Sequence, residues 1–226
     1  MAIVPHSAAD QPAATPTGWR ADPARPRVAV LLSGSGRTLE NLLAASADGR
    51  LPVGIVAVVS SRVGVRGIEV ARGADVPVTV VERRGYPDDV AFSKAIYGWL
   101  APHRPHLIVL AGFLKRLDVP PGWAGRILNV HPGLLSEPIA AGLGFYGERV
   151  HAAVLAAGSV ETGAAVHVVD HEYDHGPLVQ ERRVPVEPGD TPATLAARVF
   201  QTERLLYPEA ITAYLHDNPW ITGSTE

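Results

Sequence analysis

Short apolar runs bounded by turn residues recur through the first half of the chain and alternate with stretches of helical composition. The runs cover Arg27–Ser33, Val53–Ser60, Val76–Val81, His106–Leu110 and Arg126–Val130, and the helical stretches between them include Thr38–Ala47, Gly67–Gly73 and Asp88–Leu100. Continuous apolar runs are typical of strands buried on both faces. Their alternation with helices predicts right-handed crossovers and a mostly parallel sheet with helices on both faces, an α/β Rossmann-like fold. Ligands of such folds gather at the carboxyl ends of the strands.

The second half of the chain contains fewer and longer elements. The pattern predicts a helix at Glu148–Ala157, strands at Gly163–Val169 and Leu178–Val186, and a closing helix at Thr191–Tyr214. Thr191 followed by Pro192 is a good helix start. Residues 1–26, rich in Ala and Pro, are predicted to be a disordered leader, residues 27–216 to form one domain, and residues 217–226 to be a flexible tail.

Composition narrows the classes of function. The chain has 226 residues, 46% hydrophobic content and a net charge of −3, so it lacks the basic excess that indicates a nucleic-acid partner. The absence of cysteine excludes disulfides, zinc–thiolate sites and thiol catalysis, and it fits a cytoplasmic protein. The sequence contains no apolar run long enough to predict a membrane span. These features predict small-molecule substrates, with no nucleic acid and no membrane.

Three polar residues offer the most specific chemistry. Asn129 and His131 are two positions apart at the end of a predicted strand, so their side chains point the same way. Such a pair can donate two hydrogen bonds to one oxygen, although capping and packing are the ordinary roles of these residues. Asp174 precedes Gly176 and Pro177, where a turn-initiating Asp is the simple interpretation. If its loop meets the strand end, the carboxylate would orient the imidazole of His131 and stabilise its protonated form.

Glycines follow the first strand in the segment Ser33-Gly-Ser-Gly-Arg-Thr38. At a helix N-terminus they can direct N–H groups at an anion, but a tight strand-to-helix turn needs them as well. The segment lacks the third glycine of the dinucleotide fingerprint and the Gly-Lys-Ser ending of a nucleotide-triphosphate loop. Both a phosphate site and a simple turn remain open.

Three histidines, His167, His171 and His175, recur at every fourth residue, which on a helix could seat a metal. The β-rich sequence around His167 and the Gly-Pro pair at 176–177 argue against a helix there, so no metal is expected. The basic pair Lys115-Arg116 at another strand end is consistent with an anionic ligand and equally with a solvated loop.

The motifs together resemble the phosphoribosylglycinamide formyltransferase family of folate-dependent formyltransferases. The resemblance covers nearly all of residues 27–214 and rests on segments at 30–39, 109–115, 128–132 and 172–177. It implies that residues 27–216 are a formyltransferase domain of purine biosynthesis, with 10-formyltetrahydrofolate as formyl donor and glycinamide ribonucleotide as acceptor. It assigns catalysis to Asn129, His131 and Asp174, and acceptor binding to Gly34, Ser35, Gly36, Arg37 and Glu203. It places the folate against Leu110, Leu114, Lys115, Arg116, Leu117, Val169, Asp170, His171 and Tyr173. It implies that no metal takes part. The predicted oligomeric state is a monomer or a homodimer.

One loop departs from the family pattern. Where the family reads His-Pro-Ser-Leu-Leu-Pro before an aromatic residue and a glycine, this chain reads His-Pro-Gly-Leu-Leu-Ser from His131 and has about two extra residues within 133–143. The basic residue that often reaches the substrate phosphate after the third strand is also not visible. The alternative is therefore a related formyltransferase that acts on a different small-molecule amine.

Overall fold

The structure, a computed structural model, describes residues 25–137, 139, 142, 144 and 147–223. Its strands are β1 Arg27–Leu32, β2 Gly54–Ser60, β3 Val78–Val80, β4 Leu107–Leu110, β5 Ile127–His131, β6 Glu161–Val168 and β7 Leu178–Pro185. Its helices are α1 Arg37–Ala47, α2 Arg66–Gly73, α3 Asp89–Leu100, α4 Glu148–Ala156 and α5 Pro192–Asp217. Short 3-10 helices occur at Arg83–Gly85, Ala101–His103, Pro121–Trp123 and Pro219–Ile221.

The seven strands form one sheet in the order β3-β2-β1-β4-β5-β6-β7. The first five strands are parallel, whereas β6 runs antiparallel to β5 and β7 antiparallel to β6. The strand order reverses beside β1, where the chain crosses to β4, and such a switch point opens a crevice at the carboxyl ends of the strands. The predicted α/β Rossmann-like fold with a mostly parallel sheet is confirmed.

Each face of the sheet carries its own apolar core because successive side chains of a strand point to opposite faces. In β1, Val28, Val30 and Leu32 belong to a core shared with α1 and α5, while Ala29 and Leu31 belong to a core shared with α3. All five of these residues are at most 1% exposed. Burial on both faces explains why the first strand reads as an uninterrupted apolar run.

Helix α5 is fixed to the sheet by Tyr207, which is fully buried. Its hydroxyl lies 3.1 Å from the carbonyl oxygens of both Leu110, the last residue of β4, and Leu128, within β5. Residues four and seven positions earlier lie on the same side of a helix. Tyr207 therefore sets the position of Glu203 and Phe200 relative to the carboxyl edge of the sheet.

Packing continues beyond the predicted domain boundary at residue 216. The 3-10 helix after α5 buries Ile221 at 1% exposure, and the guanidinium carbon of Arg126 lies 5.4 Å from the ring centroid of Trp220. The predicted leader at 1–26 lies outside the described residues except for residues 25 and 26, as do residues 224–226 of the predicted tail. No helix in the described ranges has both the length and the apolar character needed to cross a membrane.

Candidate active site

A cavity of about 660 Å³ opens at the carboxyl ends of β4 and β5, bounded by the β6–β7 loop and helices α4 and α5. Its size is within the range of small-molecule sites. All nine residues predicted for the folate line it: Leu110, Leu114, Lys115, Arg116, Leu117, Val169, Asp170, His171 and Tyr173. One of the basic pair, Arg116, donates to the carbonyl oxygen of His171 at 3.0 Å, which ties the two loops together. Asn129, His131, Asp174, Arg37 and Glu203 line the same cavity.

The three predicted catalytic residues converge in the structure. Nδ1 of His131 lies 3.4 Å from Oδ2 of Asp174, and the amide nitrogen of Asn129 lies 3.4 Å from Oδ1 of the same carboxylate. His131 is 3% exposed, so its contact with Asp174 is shielded from water. Asp174 adopts a left-handed backbone with φ of 53°, which Asp tolerates better than most residues. Asp174 therefore lies in a turn, and its carboxylate also contacts His131.

The network has a fourth member, His167, which sequence reasoning considered only as a metal ligand. Residue 167 lies opposite Asn129 in the antiparallel β5–β6 pair, and its Nε2 is 3.0 Å from the Asn129 amide nitrogen and 3.5 Å from Oδ1 of Asp174. Nδ1 of His167 lies 3.0 Å from the Val168 carbonyl oxygen, which only accepts, so Nδ1 carries a proton. Nε2 accepts from Asn129 in the neutral ring and contacts the carboxylate as a donor in the protonated ring.

Asp174 stays ionised in spite of its surroundings. Burial opposes ionisation, but the contacts with His131 and His167, together with a 3.0 Å hydrogen bond from the Gly142 backbone N–H, outweigh it. They hold the pKa of the Asp174 carboxyl well below its usual range. Asp174 is thus available as a permanent anion to orient His131.

Glu203, on α5, is the second buried acid of the cavity and has the opposite character. Burial raises the pKa of its carboxyl to about 7, and the charges of His131 and Arg37 oppose this rise only in part. Arg37 begins α1, and its guanidinium carbon lies 3.7 Å from the ring centroid of Phe200. At that distance the ring holds the cation by cation–π attraction. Sequence reasoning did not identify Phe200.

The glycine-rich segment packs against helix α2. Gly36 has a φ of 75°, and a Cβ there would lie 2.6 Å from Cα of Gly67, so this turn needs glycine for structural reasons alone. The Gly34 carbonyl oxygen accepts from the Gly67 backbone N–H at 3.2 Å. Gly34, Ser35 and Gly36 are not among the residues that line the cavity, whereas Arg37 and Thr38 are. A phosphate contact by the three former residues stays a prediction.

The three evenly spaced histidines do not share a helical face. His167 is in strand β6, whereas His171 and His175 are in the following loop, where His175 Nδ1 lies 3.0 Å from Oδ2 of Asp170. Within the described ranges, no group of three or more His, Cys, Asp or Glu side chains could hold a metal ion. The even spacing of the three histidines therefore runs from strand β6 into the loop after it and does not mark one face of a helix.

The loop between β5 and α4 is anchored at its start. The carboxylate of Glu181, on β7, accepts from the backbone N–H groups of Leu135 and Ser136 at 2.9 and 3.1 Å and from the Ser136 hydroxyl at 2.5 Å. The segment with extra residues lies partly outside the described residues. Gly142 is described, and its contact with Asp174 connects this loop to the catalytic network.

A buried imidazole–carboxylate pair beside a ligand-sized cavity at the carboxyl edge of an α/β sheet defines a candidate enzyme site for proton transfer. Comparisons with known proteins give a narrower class, because a sequence profile for formyl transferases matches residues 26–211. The phosphoribosylglycinamide formyltransferase of Haemophilus influenzae is 35% identical over 187 residues, covering 82% of this chain and 85% of that protein. The structure of glycinamide ribonucleotide transformylase 1 from Symbiobacterium toebii matches with a TM-score of 0.78 and 34% identity, covering 86% of this chain and 89% of the other.

The chain belongs to the formyl transferase family, which confirms the resemblance seen in its motifs. It is also 38% identical over 187 residues to the trifunctional purine biosynthetic protein adenosine-3 of Gallus gallus. That match covers 82% of this chain but 18% of the relative, so the chain spans less than a fifth of the length of such trifunctional proteins.

Proposed function

We propose that this protein transfers the formyl group of 10-formyltetrahydrofolate to the amine of glycinamide ribonucleotide, a step of purine synthesis. The observation that carries the proposal is the contact between Asp174 and His131 at 3.4 Å in the wall of the cavity, in a chain of the formyl transferase family. The printed names of the Haemophilus and Symbiobacterium relatives support the choice of acceptor.

The cavity suits a folate. Leu110, Leu117 and Val169 offer apolar surface for a flat ring system, and Lys115 and Arg116 offer cations for the carboxylates of a glutamate tail. When bound, 10-formyltetrahydrofolate supplies an electrophilic formyl carbon. No metal is needed for attack by a neutral amine on such a carbon.

The catalytic side chains then have distinct tasks. Negative charge develops on the formyl oxygen during the attack. In the neutral ring the proton of His131 faces Asp174 from Nδ1, so Nε2 is bare and can donate to that oxygen once it has taken up a proton. Asp174 orients the ring and stabilises its protonated form, so that His131 can take up the proton that the attacking nitrogen loses. Glu203, with a pKa of about 7, is a candidate to accept a hydrogen bond from the acceptor. Arg37 is placed to contact its phosphate.

The test is a folate-consumption assay with glycinamide ribonucleotide present and absent, alongside the variant H131A. We expect consumption that requires the acceptor and is lost in the variant. The departure of the 133–143 loop from the family pattern favours one second candidate, a formyltransferase for another small amine. If a panel of amines is formylated but glycinamide ribonucleotide is not, the acceptor is wrong and the catalytic proposal stands.

The remaining features stay predictions. The absence of cysteine fits the predicted cytoplasmic location, and a monomer or a homodimer is the predicted oligomeric state. One relative, from Arabidopsis thaliana, is named as chloroplastic, so location varies among similar proteins.

A further inference from the structure

His151 is a buried polar side chain for which the scheme above has no use. It lies on α4, is 3% exposed, and borders the cavity that contains His131 and Glu203. Its Nδ1 is enclosed and has no hydrogen-bond partner, and its ring makes no hydrogen bond with any other described residue. Buried polar groups in folded proteins are nearly always paired. An orphan nitrogen at the wall of a ligand cavity therefore requires an explanation.

The position of the unpartnered nitrogen of His151 determines which ring nitrogen carries the proton and can donate a hydrogen bond. A neutral imidazole has one N–H and one bare nitrogen. An N–H without an acceptor is costly to bury, so the proton belongs on Nε2, the nitrogen that is not enclosed. Burial, with the nearby charge of His131, lowers the pKa of His151 to about 4, so the ring stays neutral at physiological pH. His151 thus presents a neutral N–H donor to the cavity.

The contacts among Asn129, His167 and Asp174 leave a substrate oxygen in need of a further hydrogen-bond donor. When His167 is neutral, the amide nitrogen of Asn129 donates to His167 Nε2 at 3.0 Å and to Oδ1 of Asp174 at 3.4 Å, which occupies both of its hydrogens. The backbone also brings α4 close to His131: a Cβ built on Gly133 would lie 3.0 Å from Nε2 of His131 and 3.4 Å from the neighbouring Val150 side chain. Helix α4 thus packs beside His131, and His151 borders the same cavity from that helix.

We propose that His151 is a further substrate-contacting residue, which donates a hydrogen bond from Nε2 to an oxygen of the bound substrates. The proposal rests on the proposed function. Two oxygens share this chemistry: the formyl oxygen, which the engaged Asn129 amide favours, and an oxygen of the acceptor. Loss of a donor to a developing oxyanion lowers kcat by about 100- to 1000-fold. Loss of a neutral hydrogen bond to the acceptor raises its KM by about three- to tenfold.

The chain contains a matched control. Thr162 is 2% exposed, and its hydroxyl is the other enclosed side-chain atom without a partner among the described residues, but it does not border the large cavity. The variant T162V removes that orphan hydroxyl at constant shape. We expect T162V to have an equal or higher Tm than the parent protein and unchanged kcat and KM.

The experiment compares H151F, H151Q and T162V by Tm and by steady-state formylation of glycinamide ribonucleotide. H151F keeps the ring and deletes both nitrogens, so we expect its Tm to hold or rise while activity falls. H151Q restores an N–H donor near the position of Nε2, and we expect it to recover at least a tenth of the parent rate. A loss in kcat assigns the contact to the formyl oxygen, and a loss in acceptor KM assigns it to the acceptor.

Three results would overturn the proposal. The first is kcat and KM of H151F within about twofold of the parent values, and the second is an equal loss of activity in T162V. The third is a lower Tm of H151F together with no recovery in H151Q, which would make the role structural. If H151F does not fold, H151L replaces it under the same criteria. Failure of the parent protein to formylate any amine refutes the proposed function itself, whereas an active parent with an unaffected H151F refutes only this inference.

Discussion

Replacement of Gly176 by Ala tests whether catalysis depends on the exact placement of the Asp174 loop. A Cβ on Gly176 would lie 1.8 Å from the carbonyl oxygen of Val168, at the end of β6. Because real Cβ atoms keep at least 3.0 Å, the two backbones must separate by about 1.2 Å, the difference between those distances. A shift of that size would move Asp174 out of reach of His131, which is 3.4 Å away. Displacement by 1 Å can lower a rate by about 100-fold.

The assay for G176A is kcat/KM for formylation, measured beside Tm and circular dichroism. We expect a loss of about 100-fold with the fold retained, because the clash is confined to one loop closure. The control is G98A in α3, where a Cβ would meet nothing within 4 Å. Ala is a better helix former than Gly, so G98A should be stabilised by about 0.5–1 kcal/mol and remain fully active. Full activity of G176A at an unchanged Tm would refute the reasoning.

Three further predictions concern single charges. D174N should lower kcat by about 100- to 10,000-fold. Its loss of stability relative to the parent should shrink as pH falls below about 4, because the ionised Asp174 stabilises the folded parent only at pH values where the same carboxyl is ionised in the unfolded chain. E203Q should match the parent Tm at pH 4 and exceed it at pH 8. Because the pKa of the folded Glu203 carboxyl is raised to about 7, the parent loses stability as pH rises from the ordinary carboxyl value of 4.5 to about 7. R37Q should raise the acceptor KM by about 10- to 150-fold and leave the folate KM unchanged, since a charged hydrogen bond contributes about 1.5–3 kcal/mol.

The parallel half of the sheet could be predicted from the sequence because its strands are buried on both faces. In β2, every residue from Gly54 to Ser60 is buried, and a strand of that kind leaves a continuous apolar run. Strand β7 shows the limit of this signal. It lies at the edge of the sheet and buries only Val184, and its bounds were predicted from turn residues and β-propensity instead.

His167 shows what sequence reasoning could not supply. Its role follows from the antiparallel register of β6, which pairs residue 167 with Asn129. A shift of that register by one residue would direct His167 to the opposite face of the sheet. No turn of fixed length connects β5 and β6, because 29 residues separate His131 from Glu161, so the register could not be derived from a turn. The even spacing of three histidines indicated a metal site only if the segment were a helix, and the β-rich sequence around His167 argued against one.

The two ends of the cavity differ in how they are built, and this difference explains which part of the function the sequence could indicate. In the proposed scheme the folate contacts two continuous segments, 110–117 and 169–173, so its predicted residues occur as motifs. In the proposed scheme the acceptor contacts Arg37 from α1 and Glu203 from α5, single residues that only the folded sheet brings together. Single residues on separate helices leave no motif, and each can change without disturbing the others. We therefore expect acceptor specificity to depend on such residues, and variants of Arg37 and Glu203 should change acceptor preference while leaving the affinity for folate intact.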